Sequence, residues 1–163
     1  MNFIKRLWVN RHTSSEMIDS ILYDQGSFYK KFTQDLLQAR DEVIIESPFI
    51  SPNRMELLFP VFKRLLANGV KIHIVTKDPS EHEDEHFKHQ VTNEVLTCAD
   101  MGINIVFREG HHRKIAIIDR LVLWEGSLNI LSQNRSLEFM RRIESKILTE
   151  QLFKFLKLET LLF

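Results

Sequence analysis

Cysteine, proline and glycine are all scarce in this sequence. Its 163 residues include one cysteine, four prolines and five glycines. The single cysteine, Cys98, excludes an intrachain disulfide framework, which fits a reducing compartment, and its side chain is expected to pack as a small apolar group. The shortage of proline and glycine excludes a low-complexity linker, and no internal repeat occurs. These absences favour a single hydrophobic core.

Neither sign of charge is in excess, and long apolar runs are absent. The 22 basic and 22 acidic residues cancel, so any polyanionic partner must be bound by a local patch. No stretch approaches the ~18 apolar residues of a membrane span. The first eight residues, MNFIKRLW, lack the apolar run of a signal peptide. The sequence therefore predicts a cytoplasmic protein without a membrane partner.

Helical and strand patterns alternate over the first two thirds of the chain. Three stretches with apolar residues at helical spacing are each followed by a short apolar run typical of a buried strand. The predicted helices include residues 28–39, 55–66 and 79–98, and the predicted strands span 42–46, 70–76 and 103–107. Pro60 is expected to bend or interrupt the second helix, and Pro79-Ser80 to open the third.

The last third has a different pattern. Two apolar runs, 115–118 and 121–124, are joined by Asp119-Arg120 and predict a hairpin, and a helix over 145–158 closes the chain. Strands separated by helices favour parallel pairing, whereas a hairpin is antiparallel. We therefore predict an α/β fold of three layers, with a mixed sheet flanked by helices on both faces.

The domain organisation follows from length and from the N-terminal pattern. A chain of 163 residues with 44% hydrophobic residues has the size of one domain, which we place at residues 26–163. Residues 1–25 are interpreted as a leader or a short helix. Thr13-Ser14-Ser15-Glu16 has the form of a capping box ahead of apolar residues that end at Ile21 and Leu22.

Candidate catalytic residues lie within 110–129, which reads GHHRKIAIIDRLVLWEGSLN. His112, Lys114 and Asp119 form the pattern H-x-K-x4-D, and G-S-x-N follows at 126–129. This joint pattern resembles the signature of the phospholipase D superfamily. The segments VIIESPFIS, GVKIHIVT and GINIVF also precede the motif in the superfamily's order. The resemblance thus covers the chain from about residue 28 onwards.

These residue types suit phosphoryl transfer on chemical grounds. A neutral imidazole such as that of His112 is available at neutral pH to attack phosphorus. Lys114, two residues along a strand, is expected on the same side, where its charge neutralises the non-bridging oxygens, and Arg113 is expected to point the other way. Ser127 and Asn129 supply hydroxyl and amide donors to the same phosphoryl group.

The resemblance implies a metal-independent mechanism without a cofactor, in which one histidine attacks phosphorus and a second protonates the leaving oxygen. It assigns Glu138 to hold the second ring nitrogen of His112, and it includes Asp119 among the catalytic residues. Asp119 directly follows an apolar run, which favours a structural role in the turn. Because the full H-x-K-x4-D pattern occurs only once, two copies of His112 must meet, and the resemblance implies a homodimer.

Local charge favours DNA or RNA as the substrate of a nuclease. From Arg108 to Arg142 the chain has seven basic residues against four acidic ones. We predict substrate contacts from Arg113, Arg135, Arg141 and His111. The alternatives are a phospholipid hydrolase or phosphatidyltransferase, and a non-catalytic module that binds nucleic acid. The small size also allows a fused or associated helicase or DNA-recognition protein.

A second motif competes with this interpretation. Residues 82–86 read HEDEH and match the H-E-x-x-H pattern of zinc peptidases, which places two imidazoles one helical turn apart. The neighbouring residues are charged on nearly every side. Glutamates in the first turns of a helix complement its dipole. We therefore interpret this segment as the exposed start of a helix and predict no metal site.

Overall fold

The structure, a computed structural model, describes residues 19–132 and 136–162. A mixed sheet of seven strands lies at its centre, in the order β1-β7-β6-β5-β2-β3-β4. Its strands are β1 Ser20–Asp24, β2 Glu42–Glu46, β3 Lys71–Thr76, β4 Asn104–Phe107, β5 Ile115–Ile118, β6 Val122–Gly126 and β7 Phe139–Glu144. Strands β2, β3 and β4 are parallel, and the remaining pairs are antiparallel.

Helices cover both faces of the sheet, which confirms the predicted three-layer α/β fold. They are α1 Phe28–Leu36, α2 Pro52–Ala67, α3 Glu85–Asp100, α4 Lys146–Phe155 and α5 Leu158–Leu162. The larger core packs α1, α2 and α3 on one face, and the smaller core packs α4 and α5 on the other. Cys98 is fully buried in the larger core, as predicted. No helix in the described part of the chain combines the length and the apolar character needed to cross a membrane.

Pro60 does not interrupt the second helix. The helix α2 runs without a break from Pro52 to Ala67, and Pro60 lies on its exposed side. The buried residues on the opposite side, Met55, Leu58, Phe62 and Leu65, pack into the core. Burial of four large apolar side chains outweighs the single backbone hydrogen bond that proline removes.

The third predicted helix begins later than Pro79. Residues Pro79–Glu81 form a 3-10 turn, and α3 starts at Glu85. Each segment has its own aspartate cap: the Asp78 side chain accepts from the Ser80 N–H, and the Asp84 side chain accepts from the Phe87 N–H. Two successive caps favour two separate helix starts over one continuous helix.

The two ends of the chain also differ from prediction. Residues 1–18 lie outside the described residues, and Ile21 and Leu22 belong to strand β1 rather than to a short helix. Pairing with β7 gives this segment a ladder of backbone hydrogen bonds, which a short isolated helix cannot match. The helix predicted over 145–158 is divided into α4 and α5 at Lys157, whose φ of 55° is incompatible with a continuous helix.

Candidate active site

The two halves of the motif meet at the edge of the sheet that is formed by the ends of its strands, where β5 begins and β6 ends. Residues 112–114 lie directly before β5 and residues 127–129 directly after β6, and these two strands are antiparallel neighbours with Ile115 opposite Glu125. The Gly126 N–H donates to the Lys114 carbonyl at 3.3 Å, which joins the halves through their backbones. The predicted hairpin is therefore what brings the H-x-K and G-S-x-N segments together.

A shallow cavity of about 550 Å³ lies at this edge. It is lined by His112, Arg113, Lys114, Ile115, Glu125, Gly126, Ser127, Phe139 and Arg141. Three predicted catalytic residues and two predicted substrate contacts are therefore among its lining residues. Glu125, Phe139 and Ile115 were not predicted, because membership of the cavity depends on how β5, β6 and β7 lie side by side.

His112 is exposed to solvent, so its imidazole is accessible to an incoming substrate. The Lys114 ammonium group donates to the main-chain carbonyl of His112 at 2.7 Å. This contact holds a positive charge at the backbone of His112. The pair thus combines an accessible imidazole with a cation, and a cation of this kind is able to stabilise negative charge on a phosphoryl group.

Gly126 and Ser127 fit closely against β7. A Cβ atom added to Gly126 would lie 2.2 Å from the Phe139 carbonyl oxygen, so only glycine allows the two backbones to approach this closely. The Ser127 hydroxyl oxygen accepts from the Phe139 N–H at 3.2 Å. Its own proton can still be donated to a phosphoryl oxygen in the cavity.

Asn129 is half-buried and lies two residues beyond Ser127, which lines the cavity. Its side-chain carbonyl oxygen is buried and makes no hydrogen bond within the described part of the chain. The Tyr29 hydroxyl donates to the next carbonyl, that of Ile130, at 2.8 Å. The backbone around Asn129 is thus anchored to helix α1, and Asn129, a predicted catalytic residue, is not among the residues that line the cavity.

Arg113 and His111 both face the buried carboxylate of Glu46. The Arg113 Nε lies 2.5 Å from Glu46 Oε2, and the His111 Nε2 lies 4.0 Å from the same oxygen. Burial raises the pKa of Glu46, and the Arg113 guanidinium opposes that rise. Glu46 was not predicted as a site residue. The sequence did contain a signal for it, because Glu46 is a charged residue at the end of an apolar strand.

The structure corrects the prediction for His111. This residue is only 3% exposed, so its side chain does not reach a substrate in the cavity. Burial first, and then the neighbouring cations Arg113 and Arg108, lower its pKa to about 4. The imidazole is therefore neutral at neutral pH and packs beneath the site. Arg113 does line the cavity, but its guanidinium is paired with Glu46.

Asp119 lies at the opposite end of β5 from His112, which corrects its assignment as a catalytic residue. Its carboxylate accepts from the backbone N–H groups of Arg40, Asp41 and Glu42 at 2.9, 2.9 and 3.0 Å. Its φ of 51° belongs to the left-handed region, which aspartate tolerates better than most residues. Asp119 thus ties the hairpin turn to the start of β2.

The remaining predicted site residues are Glu138, Arg135 and Arg141, and of these Arg141 lines the cavity. The Glu138 carboxylate accepts from the Ser136 hydroxyl at 3.1 Å, and among the described residues it makes no hydrogen bond with His112. Its role as the partner of His112 stays a prediction. Arg135 lies outside the described residues. Arg141 lines the cavity from β7, where it stands opposite Glu125.

Part of the predicted basic patch is used in internal ion pairs. Arg113 pairs with Glu46, Arg120 with Glu42, and Arg142 with Asp35. Arg120 belongs to the turn at the far end of β5 and stacks on the Phe153 ring. The cations at the cavity other than the paired Arg113 are Lys114 and Arg141, for the residues that the structure describes.

The H-E-x-x-H segment lacks the geometry of a zinc peptidase. His82 has an extended backbone and precedes α3, whereas His86 lies in its first turn. The His82 ring packs against Phe49 and Phe87, with centroid distances of 5.7 and 4.9 Å. The two imidazoles therefore do not share one face of a helix, as ligation of one zinc ion by this motif requires.

Comparisons with known proteins agree with the observed fold. A family model described as "Cardiolipin synthase, PLD-like domain" matches residues 32–158. No curated protein matches the sequence. Nuc, a phospholipase D family member from Salmonella typhimurium, has 19% identity and a TM-score of 0.65, over 84% of this chain and 90% of its own.

Two further solved structures share the fold. NucT from Helicobacter pylori has 17% identity and a TM-score of 0.66, over 85% of this chain and 92% of its own. Phosphatidylserine synthase from Haemophilus influenzae has 16% identity and a TM-score of 0.62, over 85% of this chain and 38% of its own. At these identities the likeness concerns the fold.

Proposed function

This chain belongs to the phospholipase D superfamily, and we propose that it is a metal-independent nuclease that cleaves phosphodiester bonds of DNA or RNA through a covalent intermediate on His112. The observation that carries the proposal is the cavity in which His112, Lys114 and Ser127 come together. Its lining contains an imidazole, an ammonium group and a hydroxyl, which can serve as nucleophile, cation and hydrogen-bond donor in the transfer of a phosphoryl group.

The proposed reaction has two displacements. An imidazole nitrogen of His112 attacks phosphorus, the bond from phosphorus to the leaving oxygen breaks, and a second histidine gives that oxygen a proton. A water molecule then gives its proton back to the second histidine and attacks phosphorus, and the bond from phosphorus to His112 breaks. Lys114 and Ser127 stabilise the phosphoryl oxygens in both steps.

The second histidine is proposed to be His112 of a second copy. Leu137 is 94% exposed and Phe139 is 51% exposed, and both lie in the segment that leads into and begins β7 beside the cavity. Exposed apolar side chains of this kind mark a contact surface. A two-fold contact over this edge would cover them and bring two His112 side chains to one shared site.

Nucleic acid is preferred over phospholipid because the open cavity has the cations Lys114 and Arg141 and suits a backbone of repeated phosphates. The chain also spans most of Nuc and NucT but a much smaller share of the phosphatidylserine synthase. The second candidate is a phospholipid hydrolase or phosphatidyltransferase. The exposed Leu137 and Phe139 beside the cavity are the observation in its favour.

Cleavage of labelled single- and double-stranded DNA and RNA in excess EDTA tests the proposal. We expect the wild type to cleave nucleic acid and to sediment at twice its chain mass of 19.3 kDa. Release of head groups from detergent-dispersed phospholipid, with no cleavage of nucleic acid, would support the second candidate. A folded dimer that cleaves neither substrate would leave the binding module as the remaining interpretation.

Asp119 gives a prediction that separates structure from catalysis. In Asp119→Ala three backbone N–H groups lose their acceptor, and we expect the free energy of unfolding to fall by about 2–3 kcal/mol. Urea denaturation measures this loss. The kcat for phosphodiester cleavage is expected to stay within about twofold under conditions where the variant is folded. A drop of kcat by about a hundredfold or more in a folded variant would restore Asp119 as a catalytic residue.

A further inference from the structure

Two adjacent polar residues at the end of β2 are almost completely buried. Glu46 is 1% exposed and Ser47 is 0% exposed. Buried polar groups are costly unless they are hydrogen-bonded or paired, so their partners show what such residues hold in place. One partner of Glu46 lies within the H-x-K segment, and one partner of Ser47 lies just beyond the G-S-x-N segment.

Glu46 holds the first half of the motif. Its carboxylate accepts a hydrogen bond from the terminal nitrogen of Arg113 at 3.0 Å, and the Arg113 Nε lies 2.5 Å from its other oxygen as an ion-pair contact. Arg113 stands between His112 and Lys114, so its ion pair with Glu46 restricts the backbone conformation of both neighbours. Strand pairing adds a second restraint, because Glu46 lies opposite Ile115. A buried two-point ion pair fixes geometry as well as charge.

Ser47 holds the second half of the motif. Its hydroxyl oxygen accepts from the Leu131 N–H at 3.2 Å, and the hydroxyl donates to the Phe49 carbonyl at 3.0 Å. The Ser51 N–H donates to the Leu131 carbonyl at 2.9 Å. The residue two positions beyond Asn129 is thus bound through both of its backbone groups to the segment that follows β2.

We infer that Glu46 and Ser47 are positioning residues, which set the H-x-K and G-S-x-N segments at the spacing that phosphoryl transfer requires. The inference rests on the proposed function. Displacement of a reacting group by about 1 Å can lower a rate about a hundredfold, so a small shift of either segment has a large effect. Arg113 then acts through Glu46 and not by binding substrate.

The test compares two glutamates of the same strand. Glu42 also lies on β2 and pairs with an arginine, Arg120, but at the opposite edge of the sheet. We expect Glu46→Gln to lower kcat on a chromogenic phosphodiester by roughly 10- to 100-fold, with KM within about twofold. The matched control Glu42→Gln is expected to lose stability but to keep kcat within about twofold.

Three further variants make the test specific. Arg113→Gln is expected to lower kcat as much as Glu46→Gln, and the double variant no further, since both remove one ion pair. Ser47→Ala is expected to lower kcat about tenfold, and Ser47→Thr, which keeps the hydroxyl, to recover most of the loss. A raised KM in Arg113→Gln with wild-type kinetics in Glu46→Gln would overturn the inference, since Arg113 would then bind substrate.

A measurement without turnover separates this inference from the proposed function. The ring resonances of His112 in NMR spectra, assigned by their loss in His112→Ala, are expected to shift or double in Glu46→Gln and to stay unchanged in Glu42→Gln. Unchanged resonances in a folded Glu46→Gln would overturn the positioning role. If the wild type cleaves no phosphodiester, the proposed function fails, and the NMR comparison still decides whether Glu46 positions His112.

Discussion

The His112→Ala variant is expected to lose phosphodiester cleavage, with kcat lowered by about 10⁴-fold or more. Removal of a nucleophile in covalent catalysis has effects of this size, and the residual rate comes from the remaining charge stabilisation and binding. Because His112 is exposed, its truncation removes no core contact, and the free energy of unfolding is expected to change by less than about 0.5 kcal/mol. Single-turnover kinetics measure the chemical step.

His89 provides the matched control for this variant. It is an exposed histidine on α3, outside the cavity at the sheet edge. We expect His89→Ala to retain the wild-type kcat within about twofold. A folded His112→Ala variant with a rate within tenfold of the wild type would show that another residue attacks phosphorus, and the assignment of the nucleophile would be wrong.

The largest expected loss of stability is in Asp35→Ala. Asp35 is 3% exposed, and its carboxylate accepts from Trp124 Nε1 at 3.1 Å, Arg142 Nε at 2.7 Å and Lys31 Nζ at 2.7 Å. Alanine would remove the acceptor of the indole N–H and of the Arg142 Nε–H in a buried place, and among the described residues Arg142 would keep only its contact with the exposed Glu144. Breaking a buried pair in this way lowers the free energy of unfolding by about 3–5 kcal/mol, which is a large part of the ~5–15 kcal/mol typical of a domain.

Urea denaturation monitored by tryptophan fluorescence measures this effect, since Trp124 is fully buried beside Asp35. Lys31→Ala is the control, because Lys31 is partly exposed and its ion pair with Asp35 is expected to contribute at most about 1 kcal/mol. A midpoint in Asp35→Ala equal to that of the wild type would show that Arg142 and Trp124 find other partners or water.

Local patterns predicted the centre of the site. The hairpin of β5 and β6 was predicted because two apolar runs and a short turn lie next to each other in the sequence, and this hairpin joins the two motif segments through their backbones. Strands β1 and β7 were not predicted. They pair with each other across more than a hundred residues of sequence, and β1 is an edge strand with little buried apolar surface.

The parts that could not be predicted depend on contacts distant in sequence. Glu46 and Arg113 are 67 positions apart, and only the pairing of β2 with β5 brings them together. The basic patch predicted from Arg108 to Arg142 was too large for the same reason. A sequence does not show which arginines pair with buried carboxylates. Arg120 and Arg142 are both held by carboxylates outside the cavity.

The most direct test of the account is to trap the intermediate on His112. The wild type is mixed with a phosphodiester that carries a labelled phosphorus atom, quenched in base during turnover, digested and analysed by mass spectrometry. Covalent catalysis by His112 predicts an acid-labile phosphoryl adduct on this residue that is absent from His112→Ala. Turnover by the wild type with no adduct, or with the adduct on another residue, would contradict it.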